Sequence, residues 1–303
     1  MALVLAKTNE MSHEQWLEMR KQFIGGSEAA SILGRNPYSS KYDVYLQKTG
    51  EAEPLEQNEA MYFGTILEDV VAKEFQTRTG KKVRRRNAIL THPKYPFMGA
   101  NLDREIVGEK ALLECKTASE YKSGDWENGV PDHYYYQVQH YLAVTGYEKA
   151  YIAALVGGNK FYIREIERND LAIDILIEEE KNFWENHVIP KIPPEVDSKT
   201  DLDQMYPEAK GTQIELPLNA IQLIEEYKKL QTQEDTVKEQ KDLISNKIKA
   251  LLGENDCGIC GDYKVTWKNV SSNRFDSKSF QKENKELYEK YMKQSSYRRF
   301  QIS

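Results

Sequence analysis

The chain has 303 residues, 40% hydrophobic and 30% charged, with a formal net charge of −6 at pH 7. That length suits one large domain or a domain with an appendage, and no apolar run approaches the roughly 20 residues a membrane helix needs. The acidic balance argues against a general nucleic-acid coat protein, yet it allows an enzyme that gathers positive charge in one channel. Three cysteines are too few for a disulfide framework. Residues 1–10 show no signal-peptide pattern, so a cytoplasmic location is expected.

Residues 12–21 read as a short helix capped by Ser12, and a second helix opens at Ser27 after Gly25-Gly26 and ends near Gly34. The strongest helical pattern covers 63–79, where Leu67, Val70, Val71 and Phe75 share a face and Gly80 is the stop. Strands are expected over 83–90, 97–107 and 110–117, and a helix over 133–145. A hairpin over 151–156 and 161–166 turns at Gly157-Gly158-Asn159, and a helix covers 171–188. Together these predict an α/β fold of the mixed α+β kind, a mixed sheet flanked by helices. Residues 190–211 hold Pro193-Pro194 and Pro207 and read as a surface linker. The domains are therefore expected at 1–195, with a linker at 196–213 and a helical and hairpin module at 214–303. In that module a helical pattern over 218–252 has apolar residues at Ile221, Ile224, Tyr227, Leu230, Val237, Ile244, Ile248 and Leu251. Its polar stretch 231–241 leaves open a break into two helices. A strand over 263–267 has residues 297–302 as its candidate partner.

The chemistry centres on a hairpin. Gly108-Glu109 is a two-residue turn signal with glycine at the first central position. Closing it there sets Val107 against Lys110 and, counting back, Asp103 directly opposite Glu114, with Cβ atoms about 4.5–5.5 Å apart. Lys116, two residues on, shares Glu114's face. Like charges so close repel, and a divalent cation with its preference for oxygen ligands resolves the conflict. The alternative at this stage is an exposed hairpin with scattered charges. Glu68 shares a helix face with Leu67, Val71 and Phe75 and looks inward, toward either a metal site or an internal salt bridge. In 134–141, Gln137 and Tyr141 lie one turn apart and could hold a water or phosphate oxygen, or simply pack. The basic run 81–86 fits DNA backbone contact or a charge-protected edge strand. Cys257 and Cys260 match half a zinc site and are expected in a turn.

In this order, helix Glu68, strand Asp103, Glu114-Cys115-Lys116 and the Gln137-Val138-Gln139 helix resemble the PD-(D/E)xK nuclease superfamily. The opening residues Trp16, Arg20, Ile24-Gly25-Gly26-Ser27-Glu28-Ala29 and Gly34-Arg35-Asn36-Pro37-Tyr38 resemble, more narrowly, the YqaJ-type viral recombinase family, relatives of phage lambda exonuclease. The resemblance covers roughly 11–195. It implies a restriction-endonuclease-like core and a Mg²⁺-dependent 5′→3′ exonuclease on double-stranded DNA ends, with two metal ions and Mn²⁺ as a substitute. It also implies a phage single-strand annealing protein as partner, a ring-shaped homotrimer, no membrane association, and a phage or prophage origin in a bacterial cell. By the same resemblance Asp103, Glu114 and the carbonyl of Cys115 would bind metal, Lys116 would be catalytic, and Glu68 and Gln137 would complete the site. Arg20, Ser27, Asn101 and Lys122 would bind DNA or its 5′-phosphate, though Ser27 equally suits a plain helix cap. Lysine at 122 stands where the family has arginine, so a bidentate grip is not expected there. The competing functions are an endonuclease of the same superfamily and a non-catalytic DNA-end-binding scaffold.

Overall fold

In the computed structural model the described residues are 2–9, 11–52, 58–196, 198–293 and 297–302. They divide into two compact units, Met1–Gln204 and Met205–Ser303.

The first unit opens with β1 (Leu3–Lys7), α1 (His13–Arg20), β2 (Ile24–Gly25), α2 (Gly26–Ile32), α3 (Lys41–Thr49) and α4 (Glu59–Thr79). Next come β3 (Val83–Arg84), β4 (Ala88–Thr91), β5 (Met98–Asn101), β6 (Arg104–Ile106) and β7 (Ala111–Ala118). It closes with α5 (Ser123–Glu127), α6 (Asp132–Thr145), β8 (Lys149–Val156), β9 (Lys160–Glu167), α7 (Asp170–Phe183) and α8 (Lys199–Met205). Helix α4 begins where the Asn58 side chain accepts the Met61 amide and ends at left-handed Gly80.

Two of the expected strands each break in two, and the single expected sheet becomes two. The stretch 83–90 splits where Asn87 takes a positive φ of 44°, and 97–107 splits between Asn101 and Arg104. Each break carries the chain from one sheet to the other. One sheet has the order β3-β6-β7-β8-β9, with β7 and β8 parallel; the other is β1-β4-β5-β2, with β2 and β5 parallel.

Strand β7 organises the core through its period of two. Leu112 packs with Val138 and Leu142 of α6, whereas Leu113 packs with Val71, Ala72 and Phe75 of α4. Each of the Leu, Val and Phe side chains among these contributes about 1.5–3 kcal/mol on burial. Beneath α6, the buried His140 lies 2.8 Å from Glu180 of α7 through Nδ1 and 2.8 Å from the Gly99 carbonyl of β5 through Nε2. It ties three elements together. The residues expected as a linker are partly structured. In α8 the Asp201 carboxylate is buried and accepts the Ser40 hydroxyl at 3.0 Å; Asp197 lies outside the described residues.

The second unit holds α9 (Ala220–Leu252), β10 (Cys257–Cys260), β11 (Tyr263–Thr266), α10 (Ser277–Glu283) and α11 (Lys285–Tyr291). Helix α9 runs unbroken through 231–241, because that stretch, though polar, contains no glycine or proline and is rich in Gln, Glu and Lys. The partner of β11 is β10, from Cys257↔Thr266 to Cys260↔Tyr263, and not 297–302. The two cysteines thus sit on an exposed strand rather than in a turn. Among the described residues no helix is long and apolar enough to cross a membrane.

Candidate active site

The β6–β7 pairing sets Arg104 against Leu113 and Glu105 against Leu112. Extended by one residue, this register puts Asp103 opposite Glu114, as the hairpin count predicts. The turn glycine, Gly108, has φ 86°. Alternation gives Asp103, Glu114 and Lys116 the face that α6 covers, while Arg104 and Leu113 take the face under α4.

Helix α6 completes the cluster with Gln137. Its amide nitrogen donates to Glu114 Oε1 at 2.6 Å and to the Tyr141 hydroxyl at 3.1 Å, and its Oε1 accepts from Lys116 Nζ at 3.0 Å. Lys116 also pairs with Glu114 Oε1 at 2.8 Å and lies 4.7 Å above the Tyr134 ring. The Asp103 carboxylate accepts the Cys115 amide at 2.8 Å. Glu114 Oε2 is buried and makes no hydrogen bond.

The electrostatics record the crowding. Burial, then the Glu114 charge, pushes the Asp103 carboxyl well above the ordinary carboxylate range. Burial works against the Lys116 charge, but Glu114 and Asp103 outweigh it, so the ammonium is held more firmly than usual. Burial and the same two carboxylates raise the Tyr141 phenol.

Glu68 has a different partner. Its carboxylate is held by Arg104, which also donates to the Asp103 carbonyl and pairs with Asp69. Of the two readings open for Glu68, the internal salt bridge is the one observed. Among the described residues no three Asp, Glu, His or Cys side chains converge as a ready cage for a metal. The residues nevertheless fit a hard cation of the magnesium type, which needs one or two carboxylates and fills its remaining positions with water and substrate phosphate. The partnerless Glu114 oxygen and the strained ionisation of Asp103 are what such an ion would relieve.

The expected phosphate residues are placed as follows. Arg20 donates to Ser27 Oγ at 3.2 Å, so these two meet, but the same guanidinium nitrogen also pairs with Glu28 at 2.8 Å. Glu28 is buried and paired with Lys48 as well. Burial opposes its charge, but Lys48 and Arg20 prevail and hold its carboxyl below the usual range. The next helix start is pressed against the cluster: a Cβ on Gly26 would lie 2.9 Å from the Gln137 carbonyl and 2.5 Å from the Tyr141 ring. Lys122 is exposed, 5.6 Å from the exposed Tyr38 ring and 3.8 Å from Asp125. Asn101 is exposed at the end of β5. The basic run 81–86 is largely committed to ion pairs: Arg84 and Arg86 hold the buried Glu105, Arg85 holds Asp69 and Lys81 holds Glu109.

Sequence reasoning missed Arg104 and Gly26. Arg104 gives no periodic signal beyond its place beside Asp103. The Gly25-Gly26 pair marked a helix start, but nothing in it told of a helix packed against that backbone.

Asp103 just ahead of β6 and Glu114-x-Lys116 on the adjoining β7, in a sheet with a helix on each face, define the PD-(D/E)xK class of fold. Residues 15–148 match the YqaJ-like viral recombinase domain. The chain is 44% identical over 310 residues to the uncharacterized protein YqaJ of Bacillus subtilis (strain 168), spanning 99% of this chain and 97% of that one. The chain belongs to this YqaJ-like family. The crystal structure of an alkaline exonuclease, LHK-Exo from Laribacter hongkongensis, superposes with a TM-score of 0.51 at 22% identity, over 59% of this chain and 94% of that one. That likeness is one of fold.

Proposed function

We propose that the chain is a nuclease that hydrolyses linear double-stranded DNA from its 5′ ends with Mg²⁺, or Mn²⁺ in its place, leaving 3′ single-stranded tails for strand annealing. The observation that carries the reading is the cluster of Asp103, Glu114 and Lys116. Two carboxylates are forced together under a helix, and one buried carboxylate oxygen has no hydrogen bond. Membership of a viral recombinase family and the fold shared with an alkaline exonuclease support it; a single-strand annealing protein is the partner this reading calls for.

Asp103, Glu114 and the Cys115 carbonyl would hold the cation. When bound, it supplies Lewis-acid polarisation of the scissile phosphate. The remaining work falls to the chain's own groups. Lys116, kept protonated by its neighbours, offsets the negative charge that builds on the phosphate, a role worth about 3–4 kcal/mol of barrier where such a donor is preorganised. Gln137 fixes the lysine by accepting from it while donating to Glu114. Arg20 and Ser27, adjoining the cluster through Gly26, would receive the 5′-phosphate, with Lys122 and Asn101 on the approaching strand.

The test is digestion of linear duplex with and without a 5′-phosphate, in Mg²⁺ and in EDTA, beside a covalently closed circle. The expected result is Mg²⁺-dependent loss of linear DNA, faster from phosphorylated ends, with the circle intact. Cleavage of the circle as fast as the linear duplex would replace this reading with an endonuclease. DNA binding without cleavage in either metal would leave the scaffold.

A further inference from the structure

Helix α9 carries an apolar residue at every seventh position: Leu223, Leu230, Val237, Ile244 and Leu251. All five are exposed, from 56% for Leu230 to 88% for Leu251. A seven-residue apolar repeat is the pattern of a helix that winds around another helix. The companion positions between them read Tyr227, Glu234, Lys241 and Ile248. The two ends of the stripe are thus apolar on both rows, while its middle carries one acid and one base. A 33-residue helix is about 50 Å long, enough for such a pairing to be stable.

The charges choose the partner and its direction. In a parallel pair in register, Glu234 would meet Glu234 and Lys241 would meet Lys241. In an antiparallel pair crossing near Val237, Leu223 comes level with Leu251 of the other copy, and Leu230 with Ile244. Glu234 comes within one residue of level with Lys241. The flanking row follows suit, with Glu226 beside Lys247 and Gln233 beside Gln240. Among the charged residues of the seam only Lys238 approaches its own copy, at an edge position where a long side chain turns to solvent. The complementarity is of the helix with itself reversed. We infer that α9 pairs antiparallel with α9 of a second copy of this chain, and that this contact joins two molecules independently of the nuclease site.

The test uses the full-length protein and its mass in solution across a dilution series. Glu234→Lys and Lys241→Glu each set like charges against each other twice per pair and should raise the dissociation constant about tenfold or more, while the double variant restores it. A geometric readout comes from disulfide trapping in a Cys257→Ser/Cys260→Ser background. Leu230→Cys and Ile244→Cys proteins should cross-link when mixed. Neither should cross-link alone, since position 230 lies about 21 Å along the helix from its own copy. Single charge variants that leave the mass unchanged overturn the proposal. So does a double variant that fails to restore association, or a Leu230→Cys protein that cross-links with itself, which would mean a parallel pair.

Discussion

In the first unit Leu112 and Leu113, neighbours in sequence, are both sealed, one under α6 and the other under α4. In the second, Leu223, Leu230 and Leu251 stand out along α9 with most of their surface exposed. Among the described residues the buried apolar side chains belong to the first unit, Leu252 alone excepted. The two units use the same kind of residue for different ends. A period of two buried on both sides makes a self-sufficient sheet core, and it provides the rigid floor that can force two carboxylates together against their repulsion. A period of seven left open makes a surface that another helix completes.

Three substitutions in the first unit sharpen that contrast. The largest effect on folding is expected for Glu180→Ala, which strips the buried His140 of its carboxyl partner. Breaking such a pair costs about 3–5 kcal/mol, a fall in Tm of roughly 10 °C at 2–4 °C per kcal/mol. A calorimetric loss under a degree would show that the sealed core is not what holds this unit. Next is Lys116→Ala, expected to lower turnover about 10²–10³-fold while DNA affinity holds. A variant that cuts at the native rate in single-turnover assays removes Lys116 from the mechanism.

The third has the opposite sign. The Asp103 carboxyl is raised well above its ordinary range by burial and by Glu114. Its ionisation therefore costs stability in the metal-free fold. That cost is absent below the usual carboxylate pKa, grows as pH rises through the raised value, and is fully present beyond it. Asp103→Asn keeps an oxygen to accept the Cys115 amide and carries no charge. In EDTA at neutral pH it should melt above the parent, while losing both activity and the stabilisation that Mg²⁺ gives the parent. A lower melting temperature for the variant in EDTA would contradict the strained carboxylate pair.

What could be read from the sequence was local. The Gly108 turn and strict alternation place Asp103 against Glu114, and one helical turn relates Gln137 to Tyr141; no distant residue enters either argument. What could not be read depends on chain brought from far away. Arg104 takes Glu68 from a helix 36 residues earlier, deciding between the metal site and the internal salt bridge that the sequence leaves open. Gly26 matters only because α6 lies on it. The splitting of 83–90 and 97–107 between two sheets follows from β1 and β2 supplying partners at the chain's start, both too short or too exposed to announce themselves. For α9 the polar stretch 231–241 leaves a break into two helices open in the sequence, and its Gln, Glu and Lys residues carry the helix straight through.

The smallest expected effect is the one that tests the contrast most directly. Leu142 is fully buried beneath the sheet, and Leu142→Ala should cost about 2–5 kcal/mol. Leu223→Ala removes the same atoms from an exposed position on α9. Measured by chemical denaturation at protein concentrations too low for self-association, it should change stability by less than about 0.5 kcal/mol. Repeated at high concentration, the loss should grow, because the alanine then leaves a gap opposite Leu251 of the second copy, and the extra cost is set by association rather than by folding. If Leu223→Ala costs as much in dilute solution as Leu142→Ala does, the α9 stripe is covered within a single chain. The second unit would then be built on the same plan as the first, with its seven-residue repeat serving an internal core.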